Sequence, residues 1–286
     1  MDLVKLACSS SAYNSTSLID AIQRIAGIGY SAVEIRAGHE RFIEDRPYEV
    51  EVQRIKIVLA KCNISVANIA VGGDYLGANA PCNEAPLNDS IWADRQHIER
   101  IKSYVRLARE LNCQSLSINP GRVTPGVAED VRASSIVAAL TEIIELARGL
   151  GVAIGISYGP GLIFGKAADL EPLFLKCRGL KLALHVGNSH LACETPCNIA
   201  KEFKQRIKHI HIADVGCSDR PYLVPGTGEI EWISFFKTLR WIRYQGFVTV
   251  DLSTYQDIPD LAASRAFFYL SNIINGLKRP RLRDSA

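Results

Sequence analysis

The hydrophobic and polar positions of the chain switch repeatedly between two patterns, a short apolar run typical of a buried strand and a longer amphipathic run typical of a helix. This strand–helix alternation occurs eight times in succession. The strands are short and apolar on both faces, as expected for a parallel sheet that is covered by helices. The predicted strands span residues 3–7, 32–35, 64–71, 115–118, 152–156, 180–184, 207–214 and 247–250.

This alternation predicts an α/β protein with one domain, a single (β/α)8 TIM barrel over residues 1–276, followed by a basic C-terminal tail over 277–286. A doubly wound open sheet is the alternative. Such a sheet normally carries a glycine-rich phosphate-binding turn after its first strand, and the three serines at 9–11 do not form one. The long polar segment after the third strand is a candidate lid over a functional site.

Composition narrows the class of protein. The 286 residues are 48% hydrophobic and 22% charged, which is ordinary for a soluble globular domain. No apolar run approaches the roughly 18 residues that a membrane span needs, and the N-terminus lacks the basic segment of a signal peptide, so we expect a cytoplasmic protein. A net charge of +3 is too small to indicate a nucleic-acid partner. We expect a small-molecule substrate, no membrane partner and no organic cofactor; the oligomeric state stays open.

The functional side chains of a barrel lie where its strands end. The ends of the sixth, seventh and eighth predicted strands carry His185, His211 and Asp251. Two imidazoles and a carboxylate at adjacent positions suit a divalent metal such as manganese, zinc, iron or magnesium. Either histidine taken alone is as readily explained as a hydrogen-bonded core residue, so it is their coincidence that indicates a site.

Five motifs carry a family resemblance across nearly the whole chain. They are GYSAVEI (29–35), SINPGR (117–122), IKHIHIAD (207–214), PGTGEIEW (225–232) and GFVTVD (246–251). Through them the chain resembles the xylose isomerase-like TIM barrels grouped as sugar phosphate isomerases/epimerases, which include ketose 3-epimerases and inosose dehydratases. The strand-seven motif and the PGTGEIEW motif together are the specific part of the likeness.

In that family one divalent metal is held by a glutamate ending strand five, an aspartate ending strand six, a histidine on strand seven and a glutamate ending strand eight. The two glutamates also move a proton at the carbon beside a carbonyl. By position these four ligands fall on Ser157, His185, His211 and Asp251. Only His211 is unchanged, and a serine is a poor ligand and a poor base. The resemblance therefore implies isomerase, epimerase or lyase chemistry in carbohydrate metabolism at an altered metal site.

Three hypotheses follow. In the first, His185, His211 and Asp251 hold a metal, and His190 or Tyr158 supplies a further acid or base. In the second, His185 and His211 are a metal-free catalytic acid–base pair, and Asp251 orients one of the two imidazoles. In the third, the barrel binds a sugar-like ligand without catalysis. An endonuclease IV-like nuclease would need many more metal ligands and a basic groove. The residues predicted to contact substrate are Glu34, Arg122, Ser157, Tyr158, Asn188 and Arg220.

Overall fold

The computed structural model describes residues 4–39, 48–72, 89–123, 126–216 and 222–278. Eight strands close into a barrel in which each strand pairs in parallel with the next one in sequence, and the last pairs with the first. This confirms the predicted (β/α)8 barrel and excludes the open sheet. The strands are β1 (Lys5–Ser9), β2 (Ala32–Arg36), β3 (Ser65–Val71), β4 (Ser115–Ile118), β5 (Ala153–Ile156), β6 (Lys181–His185), β7 (Ile207–Ile212) and β8 (Phe247–Val250).

The described part of the chain contains nine α-helices, and none of them combines the length and apolar character needed to cross a bilayer. Two short helices separate β6 from β7, where the sequence pattern predicted one. The helices are α1 (Leu18–Ile28), α2 (Tyr48–Lys61), α3 (Arg95–Glu110), α4 (Glu129–Leu150), α5 (Glu171–Lys176), α6 (Val186–Leu191), α7 (Pro196–Glu202), α8 (Trp232–Trp241) and α9 (Pro259–Lys278).

Two predicted segments fall partly outside the described residues. Most of the candidate lid, 73–88, is not described, so the lid stays a prediction. The last helix continues to Lys278, two residues into the predicted tail, and residues 279–286 are not described.

Local sequence signals explain where the helices begin and end. The Ser17 side chain accepts a hydrogen bond from the backbone N–H of Asp20 and so caps α1 at its start. Gly29 ends the helix with a φ of 114°, a conformation that favours glycine. A Cβ at Gly29 would lie 2.9 Å from the Phe267 ring, so this glycine also permits the close approach of α1 to α9.

The register of the last strands brings the predicted site residues together. His185 on β6 pairs with His211 on β7, and His211 pairs with Thr249 on β8. Asp251 directly follows β8, and its backbone N–H bonds to the carbonyl of Ile212. Because parallel strands end at the same rim, His185, His211 and Asp251 lie at the carboxyl end of the barrel.

The loop after β7 is organised by one buried carboxylate. Asp214 Oδ1 accepts hydrogen bonds from the backbone N–H groups of Val215 and Ile230, and Oδ2 accepts from the Gly226 N–H and from Trp232 Nε1. All four distances lie between 2.8 and 3.1 Å. The end of the strand-seven motif and the PGTGEIEW motif therefore form one structural unit, in which Asp214 shapes the loop beside the site.

Candidate active site

Two buried histidines form the centre of the site. The rings of His185 and His211 stack with centroids 5.9 Å apart and planes 21° from parallel. Both residues are at most 4% exposed. Two imidazoles held this closely cannot both carry a charge without mutual repulsion, so the groups around each ring decide its protonation.

His211 is bonded to a carboxylate from the other side of the barrel. Its Nε2 lies 2.6 Å from Oε2 of Glu34, which projects from β2. The same carboxylate oxygen accepts from Asn68 Nδ2 at 2.8 Å and lies 3.2 Å from His209 Nε2. His211 Nδ1, in contrast, is buried and has no hydrogen-bond partner among the described residues.

Burial and neighbouring charges shift the pKa values of the three titratable groups in this cluster in different directions. Burial opposes a charge on Glu34, but the positive charge of His211 and hydrogen bonds from both histidines outweigh it, so the pKa of Glu34 lies well below its usual range. Burial also opposes a charge on His211, and the negative charge of Glu34 outweighs it, which raises the pKa of His211. Burial lowers the pKa of His209 to about 4.

His185 is held differently. Its Nδ1 accepts a hydrogen bond from the backbone N–H of Asn188 at 3.2 Å, so that His185 caps the start of α6. A neutral His185 therefore carries its proton on Nε2, which lies 3.7 Å from Asp251 Oδ2. Burial lowers the pKa of His185, so the imidazole is neutral near pH 7.

Asp251 is fixed by the start of the chain and by its own loop. Its Oδ1 accepts hydrogen bonds from Ser11 Oγ and from the backbone N–H of Ser253, both at 3.1 Å. These two bonds leave the second oxygen, Oδ2, on the side of His185. The carboxylate is thus oriented before any substrate binds.

A tyrosine covers His185. The Tyr222 ring lies 4.9 Å from the His185 ring, centroid to centroid, and its hydroxyl donates to Asn188 Oδ1 at 2.5 Å. Asn188 in turn donates from Nδ2 to the backbone carbonyl of Tyr158. Asn188, predicted to contact substrate, therefore links three parts of the rim through hydrogen bonds.

Two further predicted residues lie at the end of β5 and are bonded to protein groups. The Ser157 hydroxyl donates to the Ile118 carbonyl at 3.3 Å, and the Tyr158 hydroxyl is 2.7 Å from Ser189 Oγ. Both residues are fully buried. Their predicted roles in substrate binding stay predictions.

The remaining predicted residues lie farther out. Arg122 is exposed after β4, and half-buried His190 lies on α6 with Nε2 3.6 Å from Glu229 Oε2. Arg220 lies outside the described residues. The structure thus brings together His185, His211, Asp251 and Glu34, and leaves His190 and Arg122 at the solvent-facing rim.

The four positions that the resemblance assigns to a metal do not fit one. The Ser157 hydroxyl donates to a backbone carbonyl. Nδ1 of His185 accepts the Asn188 N–H, which leaves the proton of the neutral ring on Nε2, where a metal would have to bind. Only His211, through Nδ1, and Asp251 have donor atoms of the right kind. Metal binding by His185, His211 and Asp251 therefore stays a prediction.

A second group of possible ligands, Glu34, His209 and His211, has its ligand atoms within 4.8 Å of one another. The 2.6 Å between His211 Nε2 and Glu34 Oε2 is a hydrogen-bond distance. Two ligands on one zinc ion, each at about 2.0 Å, stand roughly 3 Å apart. This group is therefore a hydrogen-bonded cluster in the structure described.

Sequence reasoning did not identify three residues that shape the site. Asn68 had a usable signal, because it is a polar residue inside an otherwise apolar predicted strand. Ser11 and Tyr222 had none: Ser11 is one of three adjacent serines, and Tyr222 lies in a loop whose path the sequence pattern does not specify.

Taken together, the fold and the rim define a (β/α)8 barrel with a histidine–carboxylate site. The chain belongs to the xylose isomerase-like TIM barrel family, since the sequence model of that family matches residues 22–270. A curated relative, an uncharacterized protein of Methanocaldococcus jannaschii, is 21% identical over 266 residues, which cover 89% of this chain and 85% of the relative.

Solved structures share the fold at low identity. The apo form of YcjR, a 3-keto-D-glucoside 4-epimerase from E. coli, has a TM-score of 0.75 and 13% identity and covers 94% of this chain and 99% of its own. The IOLI protein with a zinc atom has a TM-score of 0.75 and 16% identity, and the match covers 95% of this chain and 98% of that one. The probable 3-DHS dehydratase AsbF from Bacillus anthracis has a TM-score of 0.71 and 13% identity, and the match covers 91% of this chain and 97% of that one.

Proposed function

We propose that the chain is an enzyme that moves a proton at the carbon beside a carbonyl group of a small polyhydroxylated substrate. The observation that carries the proposal is the buried, stacked pair His185 and His211, each with a carboxylate on the side of its Nε2. Family membership supports an enzyme of the sugar isomerase, epimerase and dehydratase kind.

The two imidazoles have complementary roles. His211 donates its Nε2 proton to Glu34 and, when the ring is neutral, keeps Nδ1 as an acceptor. The negative charge of Glu34 raises the pKa of His211, which makes the neutral ring a stronger base. His185 is neutral and presents Nε2–H, with which a neutral imidazole can polarise a carbonyl oxygen. Together they match a substrate with an acidic C–H beside a C=O.

The proton transfer is balanced without a further reactant. His211 Nδ1 takes the proton from the carbon beside the carbonyl, the electron pair forms a C=C bond, and the negative charge on the former carbonyl oxygen is stabilised by His185 Nε2–H. For isomerisation, His211 returns the proton to the former carbonyl carbon while the adjacent hydroxyl proton passes to the charged oxygen. For dehydration, the enolate expels a hydroxide that takes its proton from His211 and leaves as water.

The described residues favour a single base. The family's second base falls on Ser157, whose hydroxyl donates to the Ile118 carbonyl. Epimerisation requires a proton to leave one face of a carbon and return to the other, which calls for two groups. One base suffices for isomerisation or elimination, so we propose these reactions ahead of epimerisation.

Deuterium exchange tests the proposal across a panel of candidate substrates. Ketoses, aldoses, keto-glycosides and keto-cyclitols are incubated with the protein in D2O, and loss of the proton beside the carbonyl is followed by 1H NMR. We expect exchange with at least one compound, reduced at least about 100-fold in His211→Gln and His185→Gln. His97→Gln, which changes a histidine on α3, is the matched control and should exchange at the wild-type rate.

Two outcomes would oppose this proposal. Wild-type exchange in His211→Gln would show that another group is the base. A ligand that raises the melting temperature of the wild-type protein while no compound in the panel exchanges would support the alternative of a non-catalytic sugar-binding barrel. His190→Gln, measured in the same way, tests the fourth predicted catalytic residue.

A further inference from the structure

We propose that Glu34 is the positioning residue of His211: it binds Nε2–H, fixes the ring and thereby makes Nδ1 the atom that accepts the substrate proton. The inference rests on the proposed function and deepens it. It also gives Glu34, in the middle of β2, a role beneath the histidine in place of the expected contact with substrate.

The hydrogen bond between the two side chains determines where the His211 proton lies. Glu34 and His211 are both buried, and His211 Nε2 is 2.6 Å from Glu34 Oε2. An ionised carboxylate can only accept hydrogen bonds, so the histidine nitrogen must be the donor. The lone pair of a neutral His211 is then on Nδ1, the atom without a partner among the described residues.

Asn68 fixes the carboxylate in turn. Its Nδ2 donates to Glu34 Oε2 at 2.8 Å and to Ser117 Oγ at 2.7 Å, so both amide hydrogens are used. Rotation of the Glu34 carboxylate away from His211 would break the bond from Asn68 inside the barrel, where a lost hydrogen bond is costly. Asn68 therefore holds Glu34 in place, and Glu34 in turn holds the orientation of the His211 ring.

His209 contacts the same Glu34 oxygen but has a different role. Its Nε2 is 3.2 Å from Glu34 Oε2 and 2.9 Å from Thr249 Oγ1, so this nitrogen faces two protein groups. It lies two positions before His211 on β7, farther from the rim. The two histidines of one motif thus have different roles: His211 is the base, and His209 helps to hold Glu34.

Glu34→Gln tests the inference because it keeps the length of the side chain and removes its charge. On the substrate found by deuterium exchange, we expect kcat to fall about 100-fold, KM to change less than about 3-fold, and the primary deuterium isotope effect on kcat to rise as proton transfer becomes slower. Glu51→Gln is the matched control. It makes the same change at a buried glutamate on α2 that bonds to Arg54 at 2.9 Å, and it leaves the Glu34–His211 bond in place, so kcat and the isotope effect should stay at wild-type values.

A 15N-histidine NMR spectrum gives a readout that needs no substrate. In the wild-type protein, at a pH where His211 is neutral, its proton should be on Nε2 with a low-field shift, present in Glu51→Gln and lost in Glu34→Gln. Wild-type kcat in Glu34→Gln would overturn the inference, as would equal losses of kcat in both variants with an unchanged isotope effect. If no substrate exchanges, the proposed function fails, and a His211 proton found on Nδ1 would separately overturn the positioning role.

Discussion

Asp214 allows the stability of the loop beside the site to be predicted from individual contacts. Asp214→Ala removes an acceptor of four hydrogen bonds, from three backbone N–H groups and one indole N–H. Three of the donors, on Val215, Ile230 and Trp232, are left in a buried position, while Gly226 is exposed and its N–H can bond to water. Each unsatisfied buried donor costs about 1 kcal/mol or more, so the free energy of unfolding should fall by about 3 kcal/mol. At about 2 °C per kcal/mol for a domain of this size, the melting temperature should fall by about 6 °C.

Two further variants sharpen this prediction. Asp214→Asn keeps one acceptor oxygen and places an amide opposite two of the donors, so a loss of about 2 kcal/mol is expected. Asp169→Ala is the control: its Oδ2 accepts from the Gly165 and Lys166 N–H groups at 2.9 Å, but the residue is exposed, and the loss should not exceed about 1 kcal/mol. Thermal and urea unfolding measure all three. A melting temperature of Asp214→Ala within about 2 °C of the wild-type value would show that the bonds to Asp214 do not stabilise the fold.

Three other variants test separate contacts. Gly228→Ala should destabilise the same loop, because a Cβ would lie 2.5 Å from Asp214 Oδ1; urea unfolding measures the loss, and wild-type stability would contradict the close approach. Ser11→Ala removes one bond to Asp251 and should cost about 1 kcal/mol in the same assay; no loss would show that the bond is not stabilising. Glu142 bonds to a neighbouring arginine and lysine, which lower its pKa from 4.5 to about 2. Its ionised form therefore stabilises the fold above about pH 4.5. The small difference in stability between wild type and Glu142→Gln should vanish as the pH falls toward 2. A difference that persists at that pH would oppose this explanation.

The fold could be predicted from the sequence because the strand and helix patterns are strong and local. All eight predicted strands exist, with ends displaced by at most two residues. The extra helix α6 was missed because it is short and directly follows His185, a residue already assigned to the end of a strand. Its cap is the His185 side chain, which accepts from the Asn188 N–H, and histidine is not among the residues that usually signal the start of a helix.

The site was predictable in its position and less so in its chemistry. The register of parallel strands brings His185, His211 and Asp251 to one rim, as expected from their places at strand ends. The partner of each ring nitrogen was not predictable, because Glu34 reaches His211 from β2, across the barrel. Spacing along the chain carries no information about which nitrogen donates and which accepts, and that choice separates a metal ligand from a base.

Exchange measured on metal-free protein shows whether His211, assisted by His185, moves the substrate proton without a metal. The chain is treated with a chelator, its metal content is measured by mass spectrometry, and deuterium incorporation into the substrate in D2O is followed with and without added manganese, zinc, iron or magnesium. We expect exchange to persist at a substoichiometric metal content and to change little on addition of any of these ions. Loss of exchange on chelation, restored by one equivalent of a divalent metal, would contradict it.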